Sequence, residues 1–355
     1  MSRKNNFDFL RLFAALLVIY GHAYPLLAVP APGFAANAVQ TIGVKIFFSI
    51  SGYLVALSWY HDPNVLRFFL RRITRIFPAL IAVILITGLV AGPFLTEINI
   101  GDYFLNARLR QYMLNIFLYI SYDLPGVFRE NIYPTAVNGS LWTLPAEISM
   151  YIVFPVIASI GAIIYKPRLF IFVTAFLFCA LSLYLKQTIP NGRLVVYASD
   201  LFSFLEVCPY FLVGACFAVF DSKKFLNIYV SLILIFTLEM FQTSALVKEI
   251  MLLLILPYVS ISFGIGTSIL SSVSRIGDLS YGIYLYGFPV QQTVVHFIGA
   301  RGGPWVNFEV SALISGLFAF ASWHLIEKTA LKLKPRARAA RTTVVPLDSI
   351  SLGAT

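Results

Sequence analysis

Three residues with the means to move protons or hold anions, Asp8, Arg11 and His22, lie inside a single apolar stretch, residues 7–27. On a helix turning about 100° per residue they fall within about 60° of one another, together with Ala15 and Val18. One face of that helix is therefore polar from end to end. An ionisable group facing hydrocarbon costs roughly 2.5 kcal/mol or more, so such a face belongs against a protein interior or a wet cavity. An imidazole placed there suits proton transfer, because its charge changes near neutral pH.

Two further groups extend the set. In residues 67–78, RFFLRRITRIFP, Arg71 and Arg75 stand four apart and share a helix face, with Arg72 beside them. Guanidinium groups so arranged grip phosphate oxygens bidentately and would form a basic mouth for a nucleotide-like ligand; the bland reading is a topology anchor. In residues 138–155, NGSLWTLPAEISMYIVFP, Glu147 follows Pro145. At 1.5 Å per residue, Glu147 and His22 both lie roughly 8–9 Å inside the external ends of their segments, so they can meet. A carboxylate beside an imidazole fixes its tautomer and raises its basicity, as a base that deprotonates a hydroxyl requires. Taken singly, each also reads as an interhelical hydrogen-bonding residue.

The remaining ionisable residues at membrane depth are Lys45, Asp200, Glu206, Glu239 and Glu309, of which Lys45 and Glu206 are deep enough to pair. Tyr281, Tyr284 and Tyr286 in SYGIYLYGFP form either an aromatic belt or a stacking wall for a sugar or acyl group. His61, His296 and His324 share no ligand spacing, and Cys179, Cys208 and Cys216 form no metal motif and no disulfide framework.

The elements that must position these residues are membrane helices. The chain is 59% hydrophobic and 12% charged, with a mean hydropathy of +0.83, against roughly 25% charged in soluble domains. Requiring ~20 largely apolar residues per crossing selects 7–27, 39–59, 77–95, 141–165, 168–186, 200–220, 225–244, 248–268, 279–298 and 305–326. Most of the Lys and Arg outside these segments, including Arg3, Lys4, the 67–75 cluster, Lys166, Arg168 and the basic 328–341 stretch, fall on the side of the termini. The positive-inside rule makes that side cytoplasmic. The net charge of +10 is thus a consequence of topology, and nucleic acid is not an expected partner.

Residues 101–120, with Arg108 and Arg110, read as an external interfacial or re-entrant helix, and 121–140 as a partly ordered external loop. The first segment reads as retained and not cleaved. The expected fold is an all-α integral membrane protein of about ten transmembrane helices with both termini cytoplasmic. Residues 1–334 form its one domain, with no soluble domain, and 335–355 a basic, disordered tail.

Six stretches in this order resemble the acyltransferase 3 family of integral membrane O-acyltransferases: FDFLRLFAALLVIYGH at 7–22, GVKIFFSISGYLV at 43–55, RRITRIFP at 71–78, NGSLWTLPAEISMYIVFP at 138–155, GDLSYGIYLYGFPV at 277–290 and SWHLIEK at 322–328. The resemblance implies ten helices with cytoplasmic ends in a bacterial inner membrane, and transfer of an acyl group from cytosolic acyl-CoA to a hydroxyl of a lipid-linked or cell-surface saccharide. It also implies functional roles for Arg11 and His22, for Arg72 and Arg75 as a basic RxxR motif, and for Glu147 as the acid after WTL. Where many members carry an acid in the GVxxFF motif this chain has Lys45, a change expected to alter the charge balance of the cavity. Some members carry a fused hydrolase-like domain; here either the chain finishes the reaction alone or a partner does.

The expected activity is therefore O-acylation, with acetyl the foremost acyl group and acetyl-CoA the donor substrate. Arg71, Arg72 and Arg75 would hold the CoA phosphates, and His22, oriented by Glu147 and aided by Arg11, would be base or acyl carrier. The rise from Arg11 to His22, about 16 Å, is comparable to an extended pantetheine arm. No metal is expected. The expected partners are the lipid bilayer, the saccharide acceptor, polysaccharide-assembly proteins and a second copy of the chain. A transporter of an acyl donor or saccharide, or a noncatalytic scaffold of a polysaccharide-assembly complex, remain open alternatives at the level of sequence.

Overall fold

In the computed structural model, residues 5–189, 192–241 and 243–335 are described; Arg3, Lys4 and the tail beyond residue 335 lie outside them. The fold is all-helical apart from two short hairpins. Its helices are α1 (Phe7–His22), α2 (Val39–His61), α3 (Val65–Leu85), α4 (Thr143–Ile163), α5 (Pro167–Thr188), α6 (Leu201–Val219), α7 (Ile228–Met240), α8 (Ala245–Ile265), α9 (Ser280–Ile298) and α10 (Gly303–Ser322).

Each expected segment overlaps one of these helices, with ends displaced by a few residues in most and by twelve at the start of α3. Among the described residues, eight helical stretches are long and apolar enough to cross a membrane. The two helices outside that set differ for separate reasons. α7 has 13 residues, short of the ~20 a crossing needs. α9 has 19 residues but carries three tyrosines and two glutamines. It can do so because it lies inside the bundle: Tyr284, Tyr286, Gln291 and Gln292 are all buried. Lipid does not select its composition; its helical neighbours do.

α3 is longer than the apolar pattern alone suggests. It starts at Val65, where the Asn64 side chain caps the Arg67 N–H at 2.9 Å. It then runs on through a wide π-turn, Ile86–Ala91, to Leu95. Arg67, Arg71, Arg72 and Arg75 are thus on the first turns of a membrane helix and not in a loop before it.

α1 sits between α2 and α9, and its start is tied to α8 by the Asn6 N–H to the Gly264 carbonyl (2.9 Å). Residues 101–120 break into Ile100–Leu105, Ala107–Met113 and a 3-10 turn, Leu114–Phe117, none of crossing length. Residues 121–140, expected as a partly ordered loop, are instead an ordered plug. Asn131 donates to the Gln292 carbonyl (2.9 Å), Gln292 donates to the Tyr133 and Ala136 carbonyls (2.8 and 2.7 Å), and Asn138 donates to the Leu285 carbonyl (3.0 Å). The polar side chains of α9 satisfy loop backbone that would otherwise be buried unpaired.

The two hairpins, Gly33–Phe34 with Asn37–Ala38 and Val195–Val196 with Ser199–Asp200, lead directly into α2 and α6. Their turns hold Ala35, Ala36, Tyr197 and Ala198 at positive φ, 48 to 61°, where each non-glycine residue costs roughly 1 kcal/mol or more. α2 and α6 then pack backbone to backbone. A Cβ at Gly52 would stand 1.9 Å from the Phe211 carbonyl oxygen, and one at Gly214 2.2 Å from that of Ser49. Gly52→Val and Gly214→Val should each lower stability by about 1–3 kcal/mol through overpacking. Gly316→Ala, where nothing lies within 4 Å of the added carbon, should leave it unchanged. Thermal melts of the detergent-purified proteins measure the difference.

Candidate active site

A cavity of about 90 Å³ opens among α1, α2, α3, α4 and α9. Its basic end carries Arg11, Arg72 and Arg75, with Glu147 and Tyr151 facing them from α4. The arginines are held by counter-charges and rings. Asp278, two residues before α9, pairs with Arg75 and stands 3.6 Å from Arg11, which also binds Asp8 at 3.0 Å. Arg72 lies over the rings of Phe68 and Tyr151, 5.5 Å from each centroid. Tyr151 donates to Glu147, and its hydroxyl is 3.2 Å from that of Ser51.

The other end is apolar. Val44, Phe47, Leu144 and Tyr284 line it. The Tyr284 hydroxyl donates to the Ser140 carbonyl (2.9 Å) and is 2.6 Å from the Thr143 hydroxyl. The Phe47 and Tyr284 rings meet edge to face at 5.7 Å.

The structure separates residues that the sequence pattern grouped. Arg71 does not line the cavity. Its Nη1 is 2.7 Å from Asp62, which also takes Arg67 Nε at 2.9 Å. One residue along a helix is a 100° turn, so Arg71 faces the start of its own helix while Arg72 faces the cavity. The Arg67 guanidinium holds the Asp62 carboxyl well below the usual carboxylate range, and Arg71 adds to the effect against the opposing influence of burial. Burial works to raise the Asp278 carboxyl, but Arg75 and Arg11, with the Ser280 hydroxyl, hold it low.

His22 and Glu147 do not meet; among the described residues no hydrogen bond or ion pair joins them. The His22 ring packs edge to face on Phe288 at 5.3 Å. The expectation of equal depth assumed that the fourth segment begins at the membrane surface. In fact the plug carries the chain inward first. A Cβ at Gly139 would touch the Phe288 ring at 2.6 Å, so residue 139 is already level with His22. Glu147, eight residues further on, lies about 12 Å beyond it along the chain, toward the arginines.

Lys45 also faces away from the cavity. It binds Glu249 (2.8 Å) and Asn37 (2.7 Å), with Glu206 at 3.7 Å, the pairing expected from depth. Lys186 joins the same cluster at 3.1 Å from Glu249, and Tyr210 donates to that carboxylate at 3.0 Å. Its charge is therefore neutralised on the opposite face of α2 and does not alter the cavity. Asp62, Asp278 and Tyr151, which contact the arginines of α3 and Glu147, were not singled out from the sequence. The signal for Asp278 was its place two residues before Ser280 in GDLSYG, at the mouth of a tyrosine-rich helix.

Removing one partner of a buried ion pair costs about 3–5 kcal/mol. Asp278→Ala should therefore lower the melting temperature and abolish activity even though it touches no expected substrate. The two depressed carboxyls also set an acid limit. In the unfolded chain they titrate near pH ~4, so their stabilisation is complete above that value and is lost as pH falls below it. Asp278→Asn should flatten this acid limb in melts recorded from pH 7 to pH 3.

Comparisons with known proteins agree with this arrangement. The acyltransferase domain family matches residues 4–326. The chain is 30% identical over 341 residues to an O-acetyl transferase of Shigella phage Sf6, covering 93% of this chain and 97% of the relative. It is also 30% identical over 374 aligned residues to nodulation protein 10 of Rhizobium leguminosarum bv. viciae, covering 97% of each. No solved structure matches it significantly. A match of this extent, over a helical bundle with a basic cavity at its centre, makes the chain a member of the acyltransferase 3 family and a multi-pass membrane acyltransferase.

Proposed function

We propose that the protein is an O-acetyltransferase of a bacterial inner membrane, moving an acetyl group from cytosolic acetyl-CoA to a hydroxyl of a lipid-linked or surface saccharide. The observation that carries this reading is the polarity of the cavity. Arg72 and Arg75 stand at one end, an apolar pocket at the other, and His22 one helical turn past that pocket, where Phe288 follows Tyr284 on α9. The name of the phage relative, an O-acetyl transferase, supports the same chemistry.

In this reading the phosphates of CoA bind Arg72 first, since Arg75 is already paired with Asp278 and Arg71 with Asp62. The pantetheine arm runs between α2 and α4, where the Glu147 carboxylate can accept from its amide N–H groups. The thioester carbonyl reaches the apolar end. There the acceptor oxygen attacks the carbonyl carbon, a C–O bond forms and the C–S bond breaks. His22 takes the hydroxyl proton and the CoA thiolate receives it in turn. Arg11 belongs to the donor end in this scheme, and Glu147 acts on the donor and not on the imidazole.

Two substitutions test the two ends separately. A lost hydrogen bond to a charged group is worth about 1.5–3 kcal/mol, so Arg72→Ala should raise KM for acetyl-CoA by roughly 10- to 100-fold with a smaller change in kcat. His22→Ala at normal membrane abundance should abolish acetylation of the glycan, read by mass spectrometry. Retained acetylation would remove His22 from the mechanism.

A further inference from the structure

The far end of the cavity is built as a wall. The Tyr284 ring crosses it, fixed at the hydroxyl by the Ser140 carbonyl and Thr143 and at the ring by Phe47. Moving that ring aside breaks polar contacts made in a water-poor interior, where an unpaired hydroxyl is costly. Val44 and Leu144 close the remaining sides, and Thr143 is occupied by Tyr284. Among the described residues no cation lines this end. The charge nearest to it along α4 is Glu147, four residues after Thr143 and so about 6 Å away along the helix axis.

We propose that Phe47 and Tyr284 form an acyl-length stop, which admits a short uncharged acyl group and excludes longer or anionic ones. The inference rests on the donor reading above and deepens it. With CoA phosphates at Arg72, the lining of α2 from Val55 to Val44 offers about 16 Å of path, which the pantetheine arm fills. The acyl carbon chain then meets the Phe47–Tyr284 pair. A two-carbon group fits with its carbonyl beside Thr143; each further methylene presses on the rings. A succinyl group would bring its carboxylate into an apolar pocket without a counter-ion and next to Glu147, so it is rejected twice. The stop also faces His22: the ring of Phe288, on which His22 packs, is one turn further along α9. The same pair that limits acyl length therefore holds the carbonyl at the level from which the imidazole side can be reached. Phe47 and Tyr284 act by shape, and neither transfers a proton in this scheme.

The test uses membranes bearing the full-length protein and the native glycan, supplied in turn with acetyl-, butyryl- and succinyl-CoA, with each acylated glycan quantified by mass spectrometry. Mismatched methylenes in a fitted apolar pocket are worth about 10- to 200-fold. The wild type should favour acetyl over butyryl by at least about tenfold and transfer no succinyl. Phe47→Ala should raise the butyryl-to-acetyl ratio by about tenfold, and Tyr284→Phe, which keeps the ring but loses its tether, by less. The ratio is internal to each sample, so reduced abundance of a variant does not affect it. If Phe47→Ala does not accumulate, Phe47→Leu and the wild-type profile carry the same test. A wild type that transfers butyryl or succinyl as well as acetyl, or a Phe47→Ala ratio equal to wild type, overturns the stop while leaving the acyl-CoA reading intact. Wild-type membranes that acylate the glycan from none of the three donors overturn the donor reading, and the stop with it.

Discussion

Asp278 binds Arg75 of α3 and stands within ion-pair distance of Arg11 of α1, and its other oxygen takes the hydroxyl of Ser280 at the head of α9. One carboxylate thus joins three helices at the basic end of the cavity. In an apolar bundle this contact cannot be exchanged for water. A guanidinium left without its partner there, only partly reached by water, would bear the cost of an incompletely compensated charge. The relative positions of α1, α3 and α9 follow from meeting that cost at one point, and the cavity is the space those helices leave between them.

The same constraint recurs wherever the chain carries charge inward. Asp62 pairs with both Arg67 and Arg71 and draws them away from the cavity, leaving its lining on α3 to Arg72 and Arg75 among the arginines. Lys45, fully buried, is met by Glu249 and Asn37, and the strained turn at Ala35 and Ala36 persists because it delivers Asn37 to that cluster. A tight turn with non-glycine residues at positive φ is affordable when a buried ammonium depends on the side chain that follows it. Among the described residues the buried ion pairs gather at the arginine mouth and at the Lys45 cluster, and between Glu147 and Tyr284 the cavity lining carries hydroxyls but no charge. That division leaves one cavity basic at one end and uncharged at the other.

Much of this was legible in the residues. The apolar lengths locate every major helix, the polar stripe of α1 points inward, and Arg72, Arg75 and Glu147 line one cavity. Three features were not legible. Residues 121–140 have the composition of an external loop, yet they are ordered because Gln292, distant in sequence, satisfies their carbonyls at Tyr133 and Ala136, while the loop's own Asn138 donates back to the Leu285 carbonyl of α9. Arg71 and Arg75 share a helix face at ideal geometry, but Asp62 claims the first and Asp278 the second. Glu147 and His22 have equal nominal depths, but only if the helix before Glu147 starts at the surface.

By itself the sequence determined that this is a membrane bundle, which helices it contains, and that ionisable groups face its interior, because local apolar length and helical periodicity carry that information without reference to any partner. Only the tertiary structure decided which charge pairs with which, how deep the 138–147 segment enters, and that Tyr284 stands between the arginine-lined cavity and His22. Those outcomes depend on contacts between residues more than a hundred positions apart, such as Tyr284 with Ser140 and Arg75 with Asp278. Coulombic pairing and backbone satisfaction in a water-poor interior select among such contacts, and neither leaves a periodic mark in the chain.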